Sequence, residues 1–172
     1  MPVYALGDLV PRIDPGAFVH PDAVVIGSVT VGPESTVWPG AVLRGDHGAI
    51  VVGARTSIQD GSVVHCTAEL DTVIGDECTI GHLAHLEGCR IEDGALVGSG
   101  AVVLHRAVVG AGALVAAQAL VAPGVEVPAG ALARGVPARI VPDGADPVLL
   151  RHAVDTYVHN AHWYAADLRR ID

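Results

Sequence analysis

Between Val64 and Cys89 the chain reads V-H-C-T-A-E-L-D-T-V-I-G-D-E-C-T-I-G-H-L-A-H-L-E-G-C, which brings His65, His82 and His85 together with Glu69 and Glu87 inside twenty-six residues. Imidazole nitrogen and carboxylate oxygen are the donors that borderline transition metals accept. The stretch therefore reads as a transition-metal site. Its cysteines, Cys66 and Cys78 and Cys89, have no CxxC spacing and form no zinc knuckle. Whether the histidines and acids can share one ion depends on the elements that carry them.

Those elements follow a six-residue period. Aliphatic leaders recur at Val19, Val25, Val31, Val37 and Leu43, then at Val52, Ile58 and Val64, then at Ile74, Ile80 and Leu86, and finally from Val97 through Val103, Val109, Val115 and Val121 to Val127. Small or branched residues stand four places after most of them, for example Ala23, Ala41, Ser62, Ala84, Ala101 and Ala119. A period of six fits neither an amphipathic helix nor a plain hairpin; it is the mark of a parallel β-helix in which each hexad is a short strand and a corner. Extra residues interrupt the count within Arg44–Ala49 and within His65–Asp71, and both are expected as loops at corners on the functional side. After Val127 the period decays, and Asp146-Pro147 opens a helix whose apolar stripe includes Leu150, Val154, Tyr157, Ala161 and Tyr164. The expected organisation is a solenoid over residues 1–142 carrying the site and a helix over 143–172 packed along it.

Counting by sixes turns the motif into columns. The residues just after four leaders, Arg44, His65, Glu87 and Leu104, fall in successive coils on one outward column, with neighbours roughly 4.8 Å apart. On the neighbouring face Asp60 falls beside His82, the arrangement expected of a ligating histidine with its supporting carboxylate. A third column, Val42, Val63, His85 and Val102, is apolar and outward, so a second copy of the chain is expected to cover it. One chain does not converge all the histidines, whereas in a cyclic trimer His82 of one subunit can face His65 of the next.

Composition narrows the remaining classes. The net charge of −9 argues against nucleic acid or an anionic membrane as partner. Neither a signal sequence nor an apolar run of eighteen residues is evident, and three unpaired cysteines suit a reducing interior, so a cytoplasmic protein is expected.

The motifs Leu43-Arg44-Gly45-Asp46, Ile58-Gln59-Asp60-Gly61, Val64-His65 and Gly81-His82 through Gly88-Cys89, followed by a C-terminal helix, resemble those of the gamma-class carbonic anhydrases over nearly the whole chain. The resemblance implies an all-β solenoid, a left-handed parallel β-helix of hexapeptide repeats with a C-terminal α-helix, assembled as a homotrimer. It implies a zinc cofactor, with iron or cobalt as alternatives, and carbon dioxide or bicarbonate as substrate. His65 and His82 take metal-ligand positions across a subunit interface. Arg44 and Asp46 pair between subunits, Gln59 orients the metal-bound hydroxide, and Asp60 supports the site. Tyr164 corresponds to a tyrosine that reaches the site from the helix.

The sequence departs from the family at the third ligand. Where the pattern carries a histidine five residues after His82, this chain has Glu87, and a histidine stands two residues earlier as His85. The third ligand is therefore Glu87, in a His₂Glu set that zinc accepts in catalytic sites, or His85 with Glu87 behind it. His47 occupies a segment where the family carries a proton-ferrying acid, and an imidazole can do that work. His105 and Arg106, one coil beyond, are read as surface residues. Two other functions fit a hexapeptide repeat: an acyltransferase using acyl-CoA, disfavoured by a chain without lysine, and a non-catalytic trimeric scaffold with a degenerate metal site.

Overall fold

Strand alternation sets the architecture. Within each short strand the leader turns inward and the residue before it turns outward, so Leu43, Ile58, Val64, Ile74, Ile80, Leu86, Val97 and Val103 are all at most 1% exposed. The computed structural model, which describes residues 2–172, is a parallel β-solenoid of about seven turns with one C-terminal helix, Pro147–Asp167. The small residues of the period, among them Ala41, Ser62, Ala84 and Ala101, fill the narrow corners at 0–1% exposure. Along one corner the chain turns through a left-handed residue in each successive coil, at Gly40, Gly61, Leu83, Gly100 and Gln118. At Gly81, just before His82, a Cβ would lie 2.7 Å from the backbone nitrogen of Ser99, so the close approach of the next coil requires glycine there.

Three faces form two sheets. The strands Val24–Val31 and Val42–Val52 run unbroken around one corner and join two faces into a single 12-stranded sheet, while the third face is a separate 8-stranded sheet. This differs from the expectation for the first interruption. Residues 44–49 form no loop; they lie within the 11-residue strand Val42–Val52. The pairing with Val24–Val31 absorbs the extra residues by a register shift between Gly27 and Val29. The second interruption is a loop, and it leans on the first: the Asp71 carboxylate accepts a hydrogen bond from the Ala49 amide (2.7 Å).

At the C-terminal end an antiparallel pair, Leu132–Arg134 with Arg139–Val141, closes the solenoid. Asp146 then caps the helix, its Oδ1 accepting from the amides of Val148 (2.9 Å) and Leu149 (3.4 Å), with Pro147 in the first turn. The helix buries Leu150, Val154 and Ala161, and it lies over Phe18–Val19, Thr36–Val37, Ser57–Ile58 and Thr79–Ile80 of the 8-stranded sheet. Tyr157 and Tyr164 of the helix pack on Phe18 and Trp38 of the solenoid, with ring centroids 4.9–6.0 Å apart. Trp38 Nε1 donates to Ser57 Oγ (3.0 Å), which satisfies the indole once it is covered. Arg55 clamps the helix electrostatically, reaching Glu77 (3.1 Å), Asp155 (3.5 Å) and Glu34 (3.8 Å). Among the described residues no helix is long and apolar enough to cross a membrane.

Cys66, Cys78 and Cys89 are all free and at most 3% exposed. Burial pushes the thiols of Cys78 and Cys89 up to about 12. Iodoacetamide at neutral pH is therefore expected to label these two cysteines only as fast as the solenoid unfolds, and to label all three at once in denaturing guanidinium. Mass spectrometry of the quenched mixture reads both rates; rapid modification of Cys78 or Cys89 in the folded protein contradicts this packing.

Candidate metal centre

Parallel register brings the first group of side chains together. Arg44 is opposite His65, and His65 is opposite Glu87, in three adjacent strands. His65 Nδ1 lies 2.8 Å from Glu87 Oε1 and its Nε2 lies 3.0 Å from Asp46 Oδ1. Only an imidazolium donates at both nitrogens at once, so a metal ion taken by either nitrogen displaces one carboxylate. Arg44 donates in turn to Asp46. This contact lies within one chain. Residues two apart on one strand project to the same side, and that is why these two meet.

The electrostatics keep both acids ionised. Partial burial works to raise the Asp46 carboxyl, but hydrogen bonds from His65 and Arg44 and the guanidinium charge outweigh it and leave Asp46 below its ordinary value. The hydrogen bond from His65 is the main cause holding Glu87 low, opposed by partial burial and reinforced by the charges of His65, His105 and His85.

Two further imidazoles approach the other oxygen of Glu87. His85 Nε2 and His105 Nε2 each lie 3.6 Å from Oε2. His105 was absent from the sequence-based site, yet a signal for it exists: it stacks one coil above Gly88, and a glycine beneath a histidine in one column lets the ring fold back toward residue 87.

The second group sits on the neighbouring corner. His82 Nδ1 is 2.9 Å from Asp60 Oδ2, both side chains about half-exposed. Gln59, next to Asp60, is only 4% exposed. Tyr164 belongs to the aromatic cluster with Phe18 and Trp38. Tyr157, which also packs on Trp38 (5.9 Å), is raised by burial and by the charge of Asp60. His47 is exposed on the long bent strand.

Among the described residues no three histidine, cysteine, aspartate or glutamate side chains of one chain converge as a metal site. The donors nevertheless fit a divalent transition metal in kind. One side of the chain offers an imidazole beside an ionised carboxylate, and the neighbouring corner offers an imidazole whose Nδ1 is already held by Asp60, leaving Nε2 unencumbered. Between them runs the outward column Val42, Val63, His85, Val102 and Leu120. Val63 is 38% exposed, and Val136, at the hairpin tip hydrogen-bonded to Leu120 through Gly135 and Ala138, is 71% exposed.

A family model described as "Bacterial transferase hexapeptide (six repeats)" matches residues 11–45, 71–105 and 88–123. The chain is 56% identical over 119 residues to a protein of Methanocaldococcus jannaschii named "Probable carbonic anhydrase", covering 69% of this chain and 75% of that one. It is 39% identical over 168 residues to "Gamma carbonic anhydrase 2, mitochondrial" of Arabidopsis thaliana, covering 93% of this chain and 60% of that longer protein. Among solved structures, a hexapeptide transferase family protein from Anaplasma phagocytophilum superposes with a TM-score of 0.91 at 36% identity, over 95% of this chain and 98% of that one.

The lowered carboxyls carry a pH dependence. A folded-state pKa below the unfolded value contributes stability that is present above the unfolded value, near 4 for these groups, and is lost as pH falls through the lowered one. In chelator, the thermal midpoint is expected to drop as pH falls below about 4, and to drop less steeply in Asp46→Asn. Calorimetric midpoints across an acid series check this; parallel curves for the two proteins contradict the assignment.

Proposed function

Because the chain belongs to the gamma-class carbonic anhydrase family of hexapeptide-repeat proteins, we propose that it is a metal-dependent hydro-lyase interconverting carbon dioxide and bicarbonate at the interfaces of a homotrimer. One observation carries the reading: a register-paired imidazole and carboxylate, His65 and Glu87, beside an apolar strip, with the Asp60-buttressed His82 on the next corner. A zinc, iron or cobalt ion would be held by His65 and by Glu87 or His85 of one protomer and by His82 of the next. Such an ion supplies Lewis acidity that lowers the pKa of water to about 7.

The chain's own residues prepare the site. Asp60 accepts from His82 Nδ1 and so fixes the tautomer whose Nε2 lone pair points outward. Arg44 draws on the same Asp46 that touches His65, which eases release of one His65 nitrogen from its carboxylate partner. Gln59, buried beside Asp60, provides an amide that orients the attacking water. His47, exposed on the bent strand, exchanges the released proton with buffer. The Val42–Val63–Val102–Leu120 strip is the subunit contact, since an outward column of valine is costly in water and self-complementary around a rotation axis. Free, buried thiols suit a reducing compartment such as the cytoplasm.

The likeness to a hexapeptide transferase family protein supports a second reading, acyl transfer from an acyl-CoA with an interface histidine as general base. Metal-free protein that binds acetyl-CoA stoichiometrically favours it.

Two measurements test the first reading. Purified protein is expected to carry about one metal ion per protomer and to accelerate carbon dioxide hydration in stopped flow. His65→Ala is expected to lose both, and hydration equal in the two proteins rejects the assignment. Val63→Glu is expected to turn trimers into monomers in size-exclusion chromatography with light scattering, with loss of bound metal. A fully monomeric parent chain that still holds the metal contradicts the interfacial site.

A further inference from the structure

We propose that His105 is a positioning residue for Glu87: its Nε2–H holds Oε2 of the carboxylate so that Glu87 presents a single oriented oxygen as a metal donor in place of the family's imidazole. The inference rests on the metal-centre reading above.

The geometry is local and built. Glu87 Oε1 is taken up with His65 at 2.8 Å, and Oε2 faces His105 Nε2 at 3.6 Å, a small side-chain rotation from a hydrogen bond. That nitrogen is buried and has no other hydrogen-bond partner, although the ring as a whole is 39% exposed, so the ring turns its covered edge toward Glu87. A buried N–H without a partner is costly, and Glu87 is the acceptor within reach. Gly88 makes the approach possible. A Cβ there would lie 3.0 Å from His105 Cδ2 and 3.0 Å from Leu70 Cβ, and the residue has φ +59°. Leu70 of the inserted loop and His105 of the next coil therefore close over Gly88 from two sides.

His85 is equally near Oε2 at 3.6 Å but lacks these restraints. It shares a strand with Glu87, stands in the exposed apolar column between Val63 and Val102, and has no buried nitrogen awaiting a partner. A free carboxylate can swing or bind through both oxygens; one oxygen tied by an imidazole N–H leaves a defined lone-pair direction at the other. A chain with glutamate at the third-ligand position needs that tie, whereas a chain with histidine there does not.

The test is a zinc titration by calorimetry at neutral pH, with the visible absorption of the cobalt-loaded protein as a second readout. His105→Ala is expected to weaken zinc binding about 10- to 100-fold and to alter the cobalt spectrum. His105→Gln, whose amide N–H reaches the same oxygen, is expected to recover most of the affinity. In a Glu87→His background His105→Ala is expected to change affinity by no more than about twofold, because the carboxylate it serves is gone. Unchanged zinc affinity in His105→Ala overturns the inference and leaves the metal-centre reading standing. An equal loss in the Glu87→His background assigns His105 to the fold and also overturns it. Absence of zinc and cobalt binding by the parent protein overturns both.

Discussion

Parallel strand pairing at about 4.8 Å holds the coils in register, and every arrangement at the candidate centre follows from it. Arg44, His65 and Glu87 are far apart in the chain, yet they share a column because each follows an inward-facing leader by one position. The leaders are immovable: Leu43, Val64 and Leu86 are fully buried in the solenoid core. A slip of one residue would turn this column inward and drive charged groups into that core. The core thus acts as the rigid scaffold for a surface of donors.

The carboxylate at position 87 changes the electrostatic character of the column. With an imidazole there, two imidazoles would stand side by side; with a glutamate, the nearby histidines organise around one negative charge. His65 takes one oxygen, while His85 and His105 flank the other. Asp46 performs the same service on the far side of His65, itself held by Arg44. The result is an alternation of basic side chains and carboxylates along one face, in which each carboxylate is held below its ordinary value by the donors around it.

The helix organises a different face. It covers the 8-stranded sheet through aromatic contacts, and Arg55 of the solenoid, which also reaches Glu34 and Glu77, ties it down through Asp155. That leaves the apolar column of the 12-stranded sheet uncovered by the chain's own elements. Packing therefore divides the molecule into a face satisfied internally and a face whose valines remain in water. The candidate donors lie along the margin of the second.

Much of this was legible in residues 43–127, because a period of six admits one way of stacking. The leaders, the corner alanines, the Arg44–His65–Glu87 column and the neighbourhood of Asp60 and His82 all follow from counting. Asp146-Pro147 likewise announces its helix through local capping chemistry. What counting cannot reach is the fate of residues that break the period or lie on a corner. Residues 44–49 continue as strand because a register shift opposite Gly27 absorbs them, and Tyr157 and Tyr164 both pack on Trp38 because helix placement depends on packing, not on sequence spacing. His105 turns toward Glu87 only because Gly88 vacates the space between coils. Periodicity determines which residues share a column; side-chain direction across a corner depends on what the neighbouring coil leaves empty, and only the folded structure decides that.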